Sequence, residues 1–546
     1  MGVVTATILS AGVAMNPAFE LVNIDIVKEA NRIPYATLTL LDGEPAKQTF
    51  AISDDSFFEP GKEIEIMLRH EGEPGGTASV FKGLVVKQVV EANAQGTWLT
   101  VEMKDNALKM TQTRRSAVYN QQSDSDIFGQ LISKHGLKKG MLAVTQPKHP
   151  EIVQYYCSDW DFLLSRADLY GLLVIAEDGE ISIREAKIDG SPKLSYEFGV
   201  SNMNGFEIEV DGSHQYASVE SIAWDPKTQK LTQASRAKSF SLSQGNLRAG
   251  SIANLVGGKV QSLSSAVPLD PKTLQAWADG AMIKSRLSMI RGSISTPGIG
   301  AIHRMDVIEV AGVGKRFNGR TIVTGVRHRV DQDGWQTDVQ FGISADRYIS
   351  SAEVMDRPAA GQMPGVNGLQ IGIVSAIDDP DKLSRVKVIL PGIDEKKGEV
   401  WARLASPDAG KGRGFFFRPE TGDEVIVGFF NDDPRQAVIL GAMYSSKNTP
   451  PDALEKESKD NVAKGIVSRG GTSLTFSDKE KPSLVLQTPA ANKFTLDDDG
   501  QLIEIKDQHG NTITMSKDGI VIKSAKDFKI DASGNVEIKG SKVDVK

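Results

Sequence analysis

The chain holds one cysteine, Cys157, among 546 residues. An intramolecular disulfide is therefore excluded, and the fold must be held by packing, in a chain compatible with synthesis in a reducing cytoplasm. Basic residues are in deficit: 63 Lys and Arg stand against 70 Asp and Glu, a formal net charge of -7. No broad cationic field exists to attract phosphate backbones or anionic lipid, which argues against nucleic acid as a partner. Apolar runs of the ~18 to 20 residues needed to cross a bilayer are missing. The mildly apolar start from Val3 to Met15 has no Lys or Arg ahead of it, so it reads as a first strand rather than a signal peptide. It also fails the myristoylation pattern, because Ala6 stands where Ser or Thr is needed.

Sites with chemistry are also scarce. The seven histidines, at 70, 135, 149, 214, 303, 328 and 509, show neither metal-binding pairs nor an HExxH run. His328 reads as a strand residue and His509 as a turn residue. Cys157 reads as a small buried hydrophobe just before a helix. Asp497-Asp-Asp-Gly500 fails as a calcium loop, since Thr495 and Lys506 fall at ligand positions. Asp159 and Asp161 sit at a helix start and read as capping residues. No GxSxG, phosphate loop or dinucleotide fingerprint is present; Gly312-Val-Gly-Lys315 is too short for a phosphate loop. No catalytic residue, cofactor site or metal site is expected. Phe415, Phe416 and Phe417 could stack on bases, but in a strand they would alternate, with at least one in the core.

What is present is ordinary soluble composition, 40% hydrophobic and 24% charged, and length for roughly three or four domains at ~150 residues each. Residues 17 to 105 read mostly as strands broken by turns such as Asp42-Gly43 and Pro74-Gly75-Gly76. Helices are expected from about Asp124 to Lys134, with Gly136 as the stop, from Ser158 or Asp159 to Gly171, and after Pro271. Residues 172 to 355 otherwise return to strands. Pro, Gly and small residues mark a linker at 356–368, and a polar stretch holding Pro450-Pro451 marks another at 447–465.

The last eighty residues carry the clearest pattern. Apolar pairs two apart recur at Ile503/Ile505, Ile513/Met515, Ile520/Ile522, Phe528/Ile530, Val536/Ile538 and Val543/Val545. Turn chemistry fills most gaps: Gln508-His509-Gly510-Asn511, Asp518-Gly519, Ser533-Gly534-Asn535 and Gly540-Ser541. Each strand has one apolar and one polar face. Such a ladder is one layer thick, so it must coil into a β-helix, pack against copies of itself, or lie as a meander on another domain.

Gly372-Ile-Val-Ser-Ala-Ile-Asp-Asp-Pro-Asp381, Ser384-Arg-Val-Lys-Val-Ile-Leu-Pro391, Val400-Trp-Ala-Arg403, Arg418-Pro-Glu-Thr-Gly-Asp-Glu-Val-Ile-Val-Gly-Phe-Phe-Asn-Asp-Asp-Pro434 and Val438-Ile-Leu-Gly441 form an ordered series. It resembles the oligonucleotide/oligosaccharide-fold (OB) domain of the VgrG family and of phage baseplate spikes. Tyr155 to Gly171 and Phe317 to Thr337 resemble segments of that family's hub. The resemblance implies a mainly β, multidomain chain: two β-barrel-like hub domains at 1–115 and 206–355, with an α+β insertion at 116–205 between them. An OB collar at 369–446 and a β-helical needle at 466–546, formed as a homotrimer, would follow.

The implied function is that of a non-enzymatic central spike of a contractile injection system. Its partners would be itself, a hexameric inner tube protein, baseplate proteins, effector cargo and, transiently, the target membrane. A PAAR-type tip protein would seat on Val543, Asp544, Val545 and Lys546, while the apolar pairs named above would pack along the needle axis. The particle would be phage tail-like, extracellular or type VI-like. The repeat departs from the family's needles in lacking a strict Gly-containing octad. No lysozyme-like insertion fits the 447–465 linker, and no domain is expected beyond Lys546. A spike bearing an enzymatic effector and a trimeric receptor-binding fibre are the alternatives.

Overall fold

The computed structural model describes residues 3–71, 76–351, 354–394, 398–452, 454 and 459–546. Most of the Pro74-Gly75-Gly76 turn and part of the 447–465 linker lie outside the described residues. The chain divides into two compact units, Met1–Asp356 and Arg357–Lys546.

Strand patterning dictates the first unit. Leu21–Glu29, Tyr35–Leu41, Glu63–His70 and Gly96–Lys104 alternate branched or apolar residues with polar ones, so one face of each can enter a core. Ile26, Leu38, Ile64, Ile66, Val101 and Met103 are fully buried there. A second core gathers Ile294, Ile308, Val310, Val323 and Val339 from the strands of residues 290–341. The two cores belong to one 14-stranded sheet, because Ile24–Glu29 pairs antiparallel with Gly325–Val330. Across this join Arg327 donates two 2.8 Å hydrogen bonds to the Asp25 carboxylate, the bidentate geometry favoured by guanidinium and carboxylate. The residues read as two hub barrels are thus hydrogen-bonded into a single sheet.

Among the described residues four α-helices interrupt it: α1 (Asp124–Lys134), α2 (Asp159–Leu169), α3 (Ala249–Leu255) and α4 (Pro271–Leu287). Three start where their caps predict. Ser123 accepts the Asp126 N–H, Ser158 accepts the Asp161 N–H, and Asp270 accepts the Lys272 N–H ahead of Pro271. Unforeseen was α3, whose N-terminal flank, Arg248, makes no side-chain cap bond.

The cap of α2 is Ser158 and not Asp159 as expected, and the aspartates at the two inserted helix starts bond instead to side chains of other elements. Asp124 opens α1 and is fully buried; it accepts from both Arg166 nitrogens of α2 (2.6 and 3.0 Å), from the Tyr170 hydroxyl (2.6 Å), and lies 2.8 Å from His149 Nε2. Asp159 opens α2 and accepts from Lys134 (3.1 Å), the last residue of α1, and from Arg115 (2.6 Å) and Gln154 (2.9 Å), with His135 Nε2 at 2.8 Å. Each helix start is therefore neutralised by its partner. Burial alone would raise the Asp159 carboxyl, but the bonds from Gln154, His135, Arg115 and Lys134 outweigh it and bring the group from 3.8 down to about 2.

A depressed carboxylate stabilises the fold fully above its unfolded value, and the gain is lost as pH falls through the folded one. Between about pH 4 and pH 2, hydrogen exchange in α1 and α2 is expected to accelerate, and Asp159→Asn should weaken that pH dependence, Asp124 being lowered as well, at the cost of lower protection at pH 7. An unchanged profile in the variant would show that Asp159 does not set it.

In the second unit five strands, Gln370–Ala376, Val386–Ile389, Glu399–Leu404, Glu424–Phe429 and Ala437–Ala442, close into a barrel. Val374, Val386, Val388, Ala402, Val425, Val427 and Ile439 fill it. Gly372 is required at the closing edge, since a Cβ there would sit 2.8 Å from Val427 Cγ2. Seven five-residue strands follow, from Ala463–Val467 to Gly519–Lys523, each antiparallel to the next in chain order. The expected ladder is present up to Lys523. The strands expected at Phe528/Ile530, Val536/Ile538 and Val543/Val545 are not: residues 524–546 form no β-pairs within the chain. Their apolar spacing is that of the ladder, but no turn in this stretch folds one segment back on the last.

Candidate assembly surface

Register converts the ladder's sequence pattern into a surface. Phe476 faces Leu484, Leu484 faces Leu496, Leu496 faces Ile503, Ile503 faces Met515, and Met515 faces Ile520. A second column runs beside it through Ile466, Leu474, Leu486, Phe494, Ile505, Ile513 and Ile522. Because side chains alternate across a strand, both columns lie on one face. The middle of the other face carries Thr475, Val485, Thr495, Glu504, Thr514 and Val521.

Among the described residues much of the two-column face is left uncovered in the single chain. Ile503, Ile505, Ile513 and Met515 are 36 to 48% exposed, and Ile520 and Ile522 more so. A contiguous apolar strip of this kind marks an interaction surface on a soluble protein. Covering the exposed half of each side chain contributes on the order of 1 kcal/mol, repeated along both columns. The turns are preorganised without any partner. Asp507 Oδ1 accepts the N–H groups of His509 and Asn511, and Asp497 Oδ1 accepts those of Asp499 and Gly500. The acidic run at 497–500 is thus an Asx turn, with Asp499 paired to Lys481 at 2.8 Å.

Of the axis residues expected from sequence, Ile503, Ile505, Ile513, Met515, Ile520 and Ile522 share this face. Phe528, Ile530, Val536, Ile538, Val543 and Val545 are exposed outside any strand, as are Asp544 and Lys546. Sequence reading omitted Ile466, Leu474, Phe476, Leu484, Leu486, Phe494 and Leu496, although the same two-residue spacing marks most of them.

Candidate chemical groups elsewhere are spoken for. Burial pushes the Cys157 thiol up, away from thiolate. His328, held within the sheet with Nδ1 3.0 Å from Thr337 Oγ1, is lowered by burial to about 3 and stays neutral. Among the described residues no group of three or more His, Cys, Asp or Glu could hold a metal ion, and no helix is long and apolar enough to cross a membrane. One expectation is corrected: none of Phe415, Phe416 and Phe417 enters the core, and they are 54, 72 and 63% exposed. The hairpin before them stops pairing at Gly414, so no sheet forces their side chains to alternate between inside and outside.

A β-rich unit, a closed five-stranded barrel and a ladder with an uncovered apolar face define a multidomain β protein built to join copies or partners. Residues 1–332, more than half the chain, match the family described as the Alg8 N-terminal domain, and the chain belongs to that family. Residues 370–444 match the type VI secretion system/phage-baseplate injector OB domain, and residues 483–546 match the phage baseplate V C-terminal trimerisation domain.

Among curated relatives, the type VI secretion system spike protein VgrG1c of Pseudomonas aeruginosa is 26% identical over 209 residues, 36% of this chain and 28% of that protein. The actin cross-linking toxin VgrG1 of Vibrio cholerae is 27% identical over 172 residues, 30% of this chain and 15% of that protein. The matches thus span under a third of these relatives' length. A tail protein from Neisseria meningitidis superposes with a TM-score of 0.46 at 13% identity, covering 63% of this chain and 98% of that one. A prophage tail protein from Shewanella oneidensis gives 0.45 at 13% identity, covering 63% and 99%. The kinship to VgrG-type spikes and the OB barrel read from the sequence are borne out.

Alkylation tests the state of Cys157. Iodoacetamide at pH 7.5 should modify the native protein at least roughly tenfold more slowly than the urea-unfolded chain, as expected for a buried thiol; equal rates would show an accessible thiolate.

Proposed function

We propose that this protein is the non-enzymatic central spike of a contractile injection system, acting as a homotrimer. The observation that carries this reading is the coincidence of the uncovered apolar ladder with the stretch that matches a trimerisation domain. Three copies can turn their two-column faces to a common axis, leaving Lys, Asp, Glu, Thr and Ser in water. The resulting rod has an apolar axis and a dense hydrogen-bonded wall, which suits a part that is pushed and does no chemistry.

In this reading residues 1–115 and 206–355 are the hub halves, with the insertion 116–205 between them. Residues 369–446 are the collar and 466–546 the needle. Two similar halves in three copies give a quasi-sixfold ring, the symmetry needed to cap a hexameric inner tube and to organise baseplate proteins around it. The spike leads penetration of the target envelope, touches its membrane transiently and carries effector cargo or a PAAR-type tip protein. It belongs to a phage tail-like particle, extracellular or type VI-like, and is ejected on contraction. A second reading, a spike with an effector activity of its own, is suggested by the similarity to the actin cross-linking toxin VgrG1 of Vibrio cholerae. Glycan, peptidoglycan and actin cross-linking assays on the full chain separate the two.

Sedimentation velocity is expected to give three times the 59.0 kDa chain mass at micromolar concentration. Ile503→Asp with Ile522→Asp would place one charge in each apolar column, and should raise the trimer dissociation constant at least ~100-fold. A wild-type monomer would overturn the trimer. For the tip, removing residues from Gly534 onward should abolish binding of a PAAR-type protein in a pull-down, and undiminished binding would place that contact elsewhere.

A further inference from the structure

The Phe415–Phe417 strip is an exposed apolar feature that the ladder does not account for. It is not a loose loop. On one side Phe415 N–H donates to the Asp408 carbonyl at 2.9 Å, and Ser406 Oγ donates to the Phe415 carbonyl at 2.7 Å. On the other, the Arg418 guanidinium donates to the Ile377 carbonyl, and Glu420 accepts from Arg469 at 2.9 Å. Arg469 lies in the turn between the first two ladder strands. Three aromatic rings are therefore displayed on a backbone fixed at both ends, beside the start of the ladder.

The charges around them decide what they can bind. Arg413 is held by Asp408 at 2.6 Å, Arg418 by a carbonyl and Arg469 by Glu420. Three of the cations flanking the rings are thus already engaged, which leaves few for the phosphates of a stacked nucleic acid. What remains is apolar contact. The same barrel offers a second exposed apolar patch. Leu369, Ile371 and Leu440 are each more than half exposed, and the Leu369 and Leu440 side chains converge over Gly428, 3.5 and 3.6 Å from where its Cβ would be. A closed ring of three needs a heterologous contact, in which two different patches on every copy meet. The barrel has two.

We propose that Phe415–Phe417 of one copy docks on the Leu369/Ile371/Leu440 patch of the next, making the collar a second subunit interface continuous with the ladder. This rests on the trimer proposed above. Aromatic anchors of this type carry a large share of interface energy.

The test uses the full chain with p-benzoylphenylalanine at position 416. Irradiation should join two chains, with adducts mapping by mass spectrometry to residues 369–371 or 437–442 of another copy. In parallel, F415S/F416S/F417S should raise the trimer dissociation constant at least tenfold, with hydrogen exchange in the barrel strands unchanged. A trimer that gives no such adduct overturns the collar interface and leaves the trimer intact. So does a serine variant whose trimer is undiminished, or a drop in single-stranded DNA binding by that variant. A wild-type monomer sinks the trimer itself, a result separable from the others by sedimentation alone.

Discussion

A β-sheet one layer thick has two faces and no interior, and much of the second unit follows from that. The ladder residues Leu474 to Ile522 are apolar at every second position, yet most of them stay exposed among the described residues. The hydrophobic effect scales with area removed from water, so this surface favours association as strongly as a core favours folding. Within the chain the ladder is held by hydrogen bonds between neighbours and by Asx turns. The cover for its apolar face has to come from outside.

The first unit meets the same problem differently. Its long sheet buries one core on each half and uses Asp25–Arg327 and the strand pair around it to keep the halves together. The insertion settles its buried charges by exchange, α1 supplying Lys134 and His135 to Asp159 while α2 supplies Arg166 to Asp124. Taking away Asp124 would leave the mostly buried Arg166 guanidinium without compensation, which is usually worse than never having buried the pair. The sheet is rigid where strands pair, and the insertion is rigid where charges do.

Much of this was legible in the sequence, because local signals decide it. Ser123, Ser158 and Asp270 announce helices through cap chemistry, and the i, i+2 apolar pairs announce strands. The OB series is an ordered set of motifs, not a propensity, and it carried the kinship. What was not legible depends on partners distant in the chain. Asp159 reads as a cap because its N-terminal position is visible and its four partners are not. The Phe415–Phe417 stretch reads as a strand because the end of hairpin pairing at Gly414 leaves no mark in composition. Phe528, Val536 and Val543 follow the strand pattern, but alternation states only that a strand would be amphipathic, never which strand it would pair with.

The ladder's connectivity has a kinetic consequence. Each ladder strand after the first pairs with the one just before it in the chain, so every strand pairing in it is closed by a loop of only a few residues. Contact order this low belongs to structures that form quickly and without long searches. A newly made chain can complete its ladder on its own, well before a second chain is met, and association then joins finished surfaces. The step that sets the pace would be encounter between chains. Its rate would rise with their concentration, whereas ladder folding would not.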